Sequence, residues 1–138
     1  MKNQIVIDSA GCVTGRIASF AAKQALQGNK VIILNCEKAI LIGKKKDILD
    51  KYKKKFSLGK GSQKGPYLSR VSDKLMRRII RGMLPWKRTR GREAFRRVHC
   101  FIGNPEKFKN QEKIVIAKSD AINFLTLYDI CKLLGKER

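Results

Sequence analysis

Val31-Ile32-Ile33-Leu34 constrains this chain more tightly than any other four residues. Successive side chains of a β-strand point to opposite faces, so a strand apolar at every position must be covered on both. That is the habit of parallel sheets, whose crossover connections lie over the faces. Lys30–Asn35 is therefore expected as an inner strand. Gln4-Ile5-Val6-Ile7-Asp8, closed by Ser9-Ala10-Gly11, reads as a second. Between them Arg16, Ser19, Lys23 and Gln27 form a polar stripe at helical spacing, opposite Ile17, Ala18, Ala21, Ala22, Ala25 and Leu26. Alanines on that face let a helix lie close against a sheet, Thr14 is placed to cap it, and Gly28-Asn29 ends it. The first 43 residues thus read as a βαβ unit, with Ala39–Ile42 as a short third strand stopped by Gly43.

Charge is distributed very unevenly. The 138 residues carry 32 Lys and Arg against 11 Asp and Glu, a net +21. Residues 44–97 hold 20 of those cations and only 4 of the acids. A field of this kind concentrates polyanions, and binding to phosphates releases their condensed counterions. Solubility alone would not gather charge in one stretch, so nucleic acid is the expected partner.

Within that stretch, residues 44–56 suggest a charged helix with Ile48, Leu49, Tyr52 and Phe56 as its apolar edge. Residues 57–69 contain Gly59, Gly61, Gly65 and Pro66 and are expected to be irregular. This loop, with Lys60, Lys64 and Arg70 and no acid, is expected to be mobile alone and ordered by RNA, with Tyr67 at its fixed end. Ser72 is placed to cap a helix whose Leu75, Met76, Ile79, Ile80 and Met83 face inward and whose Lys74, Arg77, Arg78 and Arg81 face outward. Pro85 ends it. Trp86–Arg92 reads as a cationic linker in which Gly91 allows a turn and Arg96 and Arg97 extend the run. Trp86 has two readings, a ring anchoring the linker to the core or a platform for a base, with Lys87 and Arg88 packed over it. A short helix then leads into the strand Val98–Ile102, stopped by Gly103-Asn104-Pro105. Thr126-Leu127-Tyr128-Asp129 has the pattern of a capping box ahead of Ile130, Cys131 and Leu134, with Gly135 as the stop.

Several function classes are disfavoured. The length suits one domain, and at 43% hydrophobic residues the chain has enough apolar material to fold. The apolar runs are too short to cross a bilayer, and no secretion signal is visible. Cys12, Cys36, Cys100 and Cys131 form no Cys-x-x-Cys pair, so free, mostly buried thiols in a reducing cytosol are expected. His99 lies in an alternating apolar stretch and reads as structural; His99 and Cys100 point to opposite faces of one strand and cannot act together. Asp8, Glu37, Asp47, Asp50, Asp73 and Glu93 form no pair of the kind that holds catalytic cations. Gly11-x-x-x-Gly15-Arg16 lacks the spacing of either nucleotide-binding loop and reads as a tight turn whose amides meet an RNA phosphate. No enzyme activity, cofactor or metal is expected.

The segments VIDSAGCVTGRIAS, NCEKAILIG, KGPY and RRIIRGMLPWKRTRGREAFRRVHCFIG, in that order, resemble the ribosomal protein L-thirteen family in its archaeal and eukaryotic form. The resemblance runs from about Ile5 to Pro105 and is loose over residues 107–138. Without the long C-terminal extension of eukaryotic members, an archaeal source is expected. The resemblance implies a three-layer α/β/α fold around a four-stranded parallel sheet of order 3-2-1-4. It also implies a structural constituent of the large ribosomal subunit, cytoplasmic and in the ribosome. Such a protein binds large-subunit rRNA, meets neighbouring ribosomal proteins and supports subunit assembly, with no membrane and no small-molecule substrate. Resemblance and charge together assign RNA contact to Arg16, Lys44, Lys45, Lys60, Lys64, Tyr67, Arg70, Arg77, Arg78, Arg81, Trp86, Lys87, Arg88, Arg90, Arg92 and Arg96, most of them within residues 44–97.

Overall fold

In the computed structural model, residues 3–57, 71–116, 118, 119 and 121–134 are described. The apolar strand Lys30–Leu34 (β2) lies inside a parallel sheet, between Gln4–Asp8 (β1) and Val98–Cys100 (β4). Its register runs from Gln4 opposite Lys30 to Asp8 opposite Leu34 on one side, and from Val31 opposite Val98 on the other. Ile114–Val115 (β5) adds a short parallel edge beyond β1. Helix α1 (Thr14–Leu26) makes the first crossover, with Ile17, Ala18, Ala21, Ala22 and Ala25 buried. Helices α2 (Lys45–Ser57), α3 (Ser72–Gly82), α4 (Thr89–Arg96) and α5 (Leu127–Leu134) follow.

The mixed α/β class and the four-stranded parallel sheet hold; the expected order 3-2-1-4 fits only when the sheet's own four strands are counted, with Val98–Cys100 and not residues 39–42 as the third. Counted along the whole chain the sheet is β4-β2-β1-β5. Ile40–Ile42 (β3) leaves it and pairs antiparallel with Phe124–Thr126 (β6) in a separate ribbon, so Val98–Cys100 takes the place beside β2. Ile40–Ile42 finds its partner more than 80 residues further on, a pairing that its own short apolar run does not specify.

The three-layer expectation is also corrected. One sheet face, through Ile7, Val31, Ile33 and Val98, joins a single large core with buried residues from all five helices. The opposite face, through Val6, Ile32 and Leu34, packs against Phe101 and Phe108. Among the described residues that face is covered by the short 3-10 turn Glu106–Phe108 rather than by a layer of helices. Both faces of β2 are nonetheless dry, as its composition requires.

Local chemistry departs from expectation at four places. The first is Thr14, which does not cap α1. It is the buried first helical residue, Val13 holds the cap position, and the Thr14 hydroxyl donates to the Ile40 carbonyl at 2.8 Å, tying the helix to the ribbon. Ser72 is likewise buried inside the first turn of α3, behind Val71. Met83, expected inside, is 44% exposed because α3 ends at Gly82. Finally, Gly91 does not make a turn. It is a buried residue of α4, and a Cβ there would sit 2.0 Å from the Pro85 carbonyl oxygen. The expected linker is thus shorter, since α4 begins at Thr89. The capping box at α5 forms as read: the Asp129 amide donates to Thr126 Oγ1 at 3.1 Å, and the Thr126 amide to Asp129 Oδ2 at 3.4 Å. All four cysteines are buried thiols and none is in a disulfide.

Two measurements test this packing. Gly91→Ala should lower unfolding free energy by about 1–3 kcal/mol, because backbone must shift to admit the methyl group. Gly15→Ala, where nothing lies within 4 Å, should be neutral or stabilising by about 0.4–1 kcal/mol. Equal urea midpoints for the two variants would show that the α4–Pro85 contact is loose. The second concerns His99, whose pKa is held below its ordinary 6.5 first by burial, then by Lys30, Arg77 and Lys107. The unfolded chain therefore binds a proton more readily than the folded one as pH falls below 6.5. Stability should decline in that window and level off below the folded pKa, and His99→Gln should flatten the decline in urea midpoints.

Candidate nucleic-acid interface

Arg77 and Arg81 lie one helical turn apart on α3, on the same side. Both stack on rings supplied by other segments. The Arg81 guanidinium carbon is 4.1 Å from the centroid of Trp86, and that of Arg77 is 4.3 Å from the centroid of Phe95 on α4. The two rings meet edge-on, 5.0 Å apart at 81°. Cation, ring, ring and cation thus form a ladder from α3 through the Pro85–Trp86 corner to α4. Each cation–π contact is worth about 0.5–2 kcal/mol and the ring pair about 0.5–1.5 kcal/mol. The Trp86 reading as an anchor fits this geometry, although Arg81 rather than Lys87 or Arg88 covers the ring.

The corner is also held by its backbone. The Arg88 amide donates to the Pro85 carbonyl at 3.0 Å, and Arg92 Nε donates to the Trp86 carbonyl at 3.2 Å. Arg77 donates through one terminal nitrogen to the Phe95 carbonyl at 3.3 Å; its Nε is the one buried side-chain nitrogen or oxygen without a partner among the described residues. Arg97 reaches back to the Ala25 carbonyl at the end of α1, 2.9 Å away. Four arginines of residues 77–97, Arg77, Arg81, Arg92 and Arg97, therefore have structural work. Asp73, the one acidic residue of α3, accepts from the Lys74 amide at 2.8 Å.

Beside the ladder opens a cleft of about 590 Å³, walled by Arg78, Arg81, Trp86, Lys87 and Arg88. A smaller hollow, sharing Arg78, Arg81 and Trp86 with the cleft, adds Lys74, Arg77 and Phe95. Among the described residues neither is lined by a carboxylate. A guanidinium stacked on a ring keeps its in-plane N–H groups for an anion, and a cluster of exposed cations of one sign attracts phosphate.

The remaining expected residues lie elsewhere. Arg90, Arg92 and Arg96 are exposed on α4, with Arg90 beside Lys23 and Met83 in a separate hollow. Arg16 is exposed in the first turn of α1, and Lys44 and Lys45 at the start of α2; none of the three lines the cleft. Lys60, Lys64, Tyr67 and Arg70, with the loop behaviour expected for residues 57–70, fall outside the described residues apart from Ser57, the last residue of α2. The residue 9–12 half of the Gly11 turn offers a phosphate no open amide. Its amides are already engaged, Ser9 with the Leu34 carbonyl, Ala10 with Asp8 Oδ1, Gly11 with the Lys38 carbonyl and Cys12 with the Ser9 carbonyl.

Phe95, Lys51 and Lys55 were not among the expected site residues. Phe95 carries no local signal, since it acquires its role only from the fold of α4 against α3. Lys51 and Lys55, one turn apart on α2, line a second, amphipathic groove against α3. Among the described residues no group of His, Cys, Asp and Glu could hold a metal ion, and no helix is long and apolar enough to cross a membrane.

Comparison with known proteins agrees with the basic surface. Residues 2–107 match the family described as Ribosomal protein L13. The chain is 42% identical over 138 residues to the large ribosomal subunit protein uL13 of Methanosarcina barkeri, covering 96% of this chain and 98% of that one. It is 40% identical over 137 residues to that of Methanopyrus kandleri and 38% over 136 to that of Archaeoglobus fulgidus, each covering 94% of this chain and 86% of the relative. A basic, carboxylate-free cleft on a mixed α/β fold, together with this similarity along nearly the whole chain, places the protein in the ribosomal protein L13 family, whose members are structural rather than catalytic.

Proposed function

We propose that this chain is a structural constituent of the large ribosomal subunit, in the cytoplasm, and that it binds large-subunit rRNA through the α3–α4 corner while supporting subunit assembly. The cleft of Arg78, Arg81, Lys87 and Arg88 carries this reading, because four cations converge there without one acid. Family membership favours RNA over DNA, since the curated relatives are named as large-subunit proteins. The cleft offers guanidinium and ammonium groups to backbone phosphates, which position an RNA-binding protein without reading sequence. Residues 44–97 act as one basic region within a single domain, and neighbouring ribosomal proteins meet the remaining surface. Co-sedimentation tests the assignment: nearly all the cellular protein should travel with large subunits, and finding it mostly free or on chromatin would refute it.

Binding and stability should separate by residue. Replacing Arg78, Lys87 and Arg88 by Gln should leave the urea midpoint unchanged, weaken rRNA binding and reduce its salt slope by about one unit per lost phosphate contact. Arg77→Gln should instead reduce stability, by about 1–3 kcal/mol, because it removes the stack on Phe95 and the bond to its carbonyl. An unchanged salt slope in the triple variant would make the cleft ordinary surface.

Trp86 gives a further check. With Arg81 over one face and Phe95 edge-on, its ring is committed to the protein, so saturating rRNA should leave its emission nearly unchanged. Strong quenching would show that a base displaces Arg81 and stacks there.

A further inference from the structure

Across a ridge from the cleft lies the second groove, of about 650 Å³, between α2, α3, β3 and the start of α1. Arg78 and Gly82 border both cavities. The groove has two chemistries. Its α3 and β3 walls are apolar, with Ile79, Met83 and Leu41, of which Met83 is 44% exposed. Its rim carries Lys51, Lys55 and Arg78 and no carboxylate. Lys51 and Lys55 are like charges at i and i+4, a pairing that destabilises a helix unless an anion lies between them. Burial, and then the Lys51 charge, pushes the Lys55 ammonium pKa down, so a neighbouring anion would be well received.

We infer that this groove takes one unpaired nucleotide of the RNA, its base against Ile79, Met83 and Leu41 and its phosphate among Lys51, Lys55 and Arg78. The inference rests on the rRNA reading above and extends it. A backbone tracking along the cleft reaches the ridge at Arg78, and Gly82, with nothing within 4 Å of where its Cβ would be, leaves the crossing low enough for a nucleotide to turn over it. The volume falls within the range of about 300–1,000 Å³ that encloses small ligands. Unstacked bases splayed from single-stranded RNA are what proteins recognise when they discriminate sequence, whereas the cleft meets only backbone. A protein segment seated here would need acidic groups to match the rim, and the shared Arg78 ridge favours the polyanion already bound next door. The contact would make this protein sensitive to an unpaired position in its RNA, not only to backbone shape.

The test uses the full chain labelled with ¹³C at isoleucine δ1-methyl groups. Ile79 lines the groove and no other cavity described here, while Ile80, its neighbour, is fully buried and serves as the control. The probes are inorganic phosphate, 5′-AMP and a large-subunit rRNA transcript. The expected result is a ring-current shift of the Ile79 methyl with 5′-AMP and with the transcript, little shift with phosphate, and a stationary Ile80. Met83→Glu, at an exposed position, should weaken 5′-AMP binding about tenfold by setting a carboxylate against base and phosphate, while Lys109→Gln, at an exposed position beside the Glu106–Phe108 turn and outside both groove and cleft, should leave it unchanged. If the transcript binds and Ile79 stays still, or if phosphate alone moves it as far as 5′-AMP, the inference is wrong and the rRNA reading stands. A shift seen only on adding other large-subunit proteins would assign the groove to a protein contact and overturn the inference. Failure of the transcript to bind at all would remove the rRNA reading and this inference together.

Discussion

The corner between α3 and α4 depends on one close approach, in which the backbone of α4 at residue 91 lies against the Pro85 carbonyl with no room for a side chain. That contact sets where Phe95 stands relative to α3. Phe95 then meets Trp86, and each ring receives an arginine from α3. Glycine inside a helix ordinarily costs about 0.5–1 kcal/mol in backbone entropy. Here it permits a ladder of three stacked contacts, each of comparable size, so the exchange is favourable.

The ladder resolves an electrostatic difficulty. Residues 44–97 carry 20 cations and 4 acids, and such a run should splay apart in water. Arg77, Arg92 and Arg97 instead donate to backbone carbonyls, and Arg77 and Arg81 lie on rings, where the negative face of the π-system stands in for a carboxylate. The corner is therefore built before any polyanion arrives, while Arg78, Lys87 and Arg88 remain exposed. Preorganised cations lose less entropy on binding than free surface lysines do.

On the functions proposed above, cleft and groove would divide two kinds of recognition across a single ridge. A basic cleft without acids suits backbone phosphates; an apolar groove with a basic rim suits a base that has left its stack. Arg78 borders both because α3 places it between the inward row of Leu75, Met76 and Ile80 and the ladder row of Arg77 and Arg81.

Much of this was legible in the amino-acid order. An all-apolar strand at Val31–Leu34 demanded a doubly covered parallel sheet, the alanine face of residues 17–25 demanded a close helix, and Thr126 with Asp129 specified a cap, because each is a contact between residues near in sequence or a rule about solvent exposure. The concentration of cations in residues 44–97 likewise pointed to a polyanion by composition alone. What only the tertiary structure decided were contacts across distance. Ile40–Ile42 joined a ribbon with Phe124–Thr126 instead of the sheet, one sheet face met a turn in place of helices, Gly91 served a close approach and not a bend, and the arginines divided between structure and cleft. A guanidinium has the same local signature whether it will lie on a ring or face a phosphate. The difference is set by which helix packs beside it, and no local pattern encodes that.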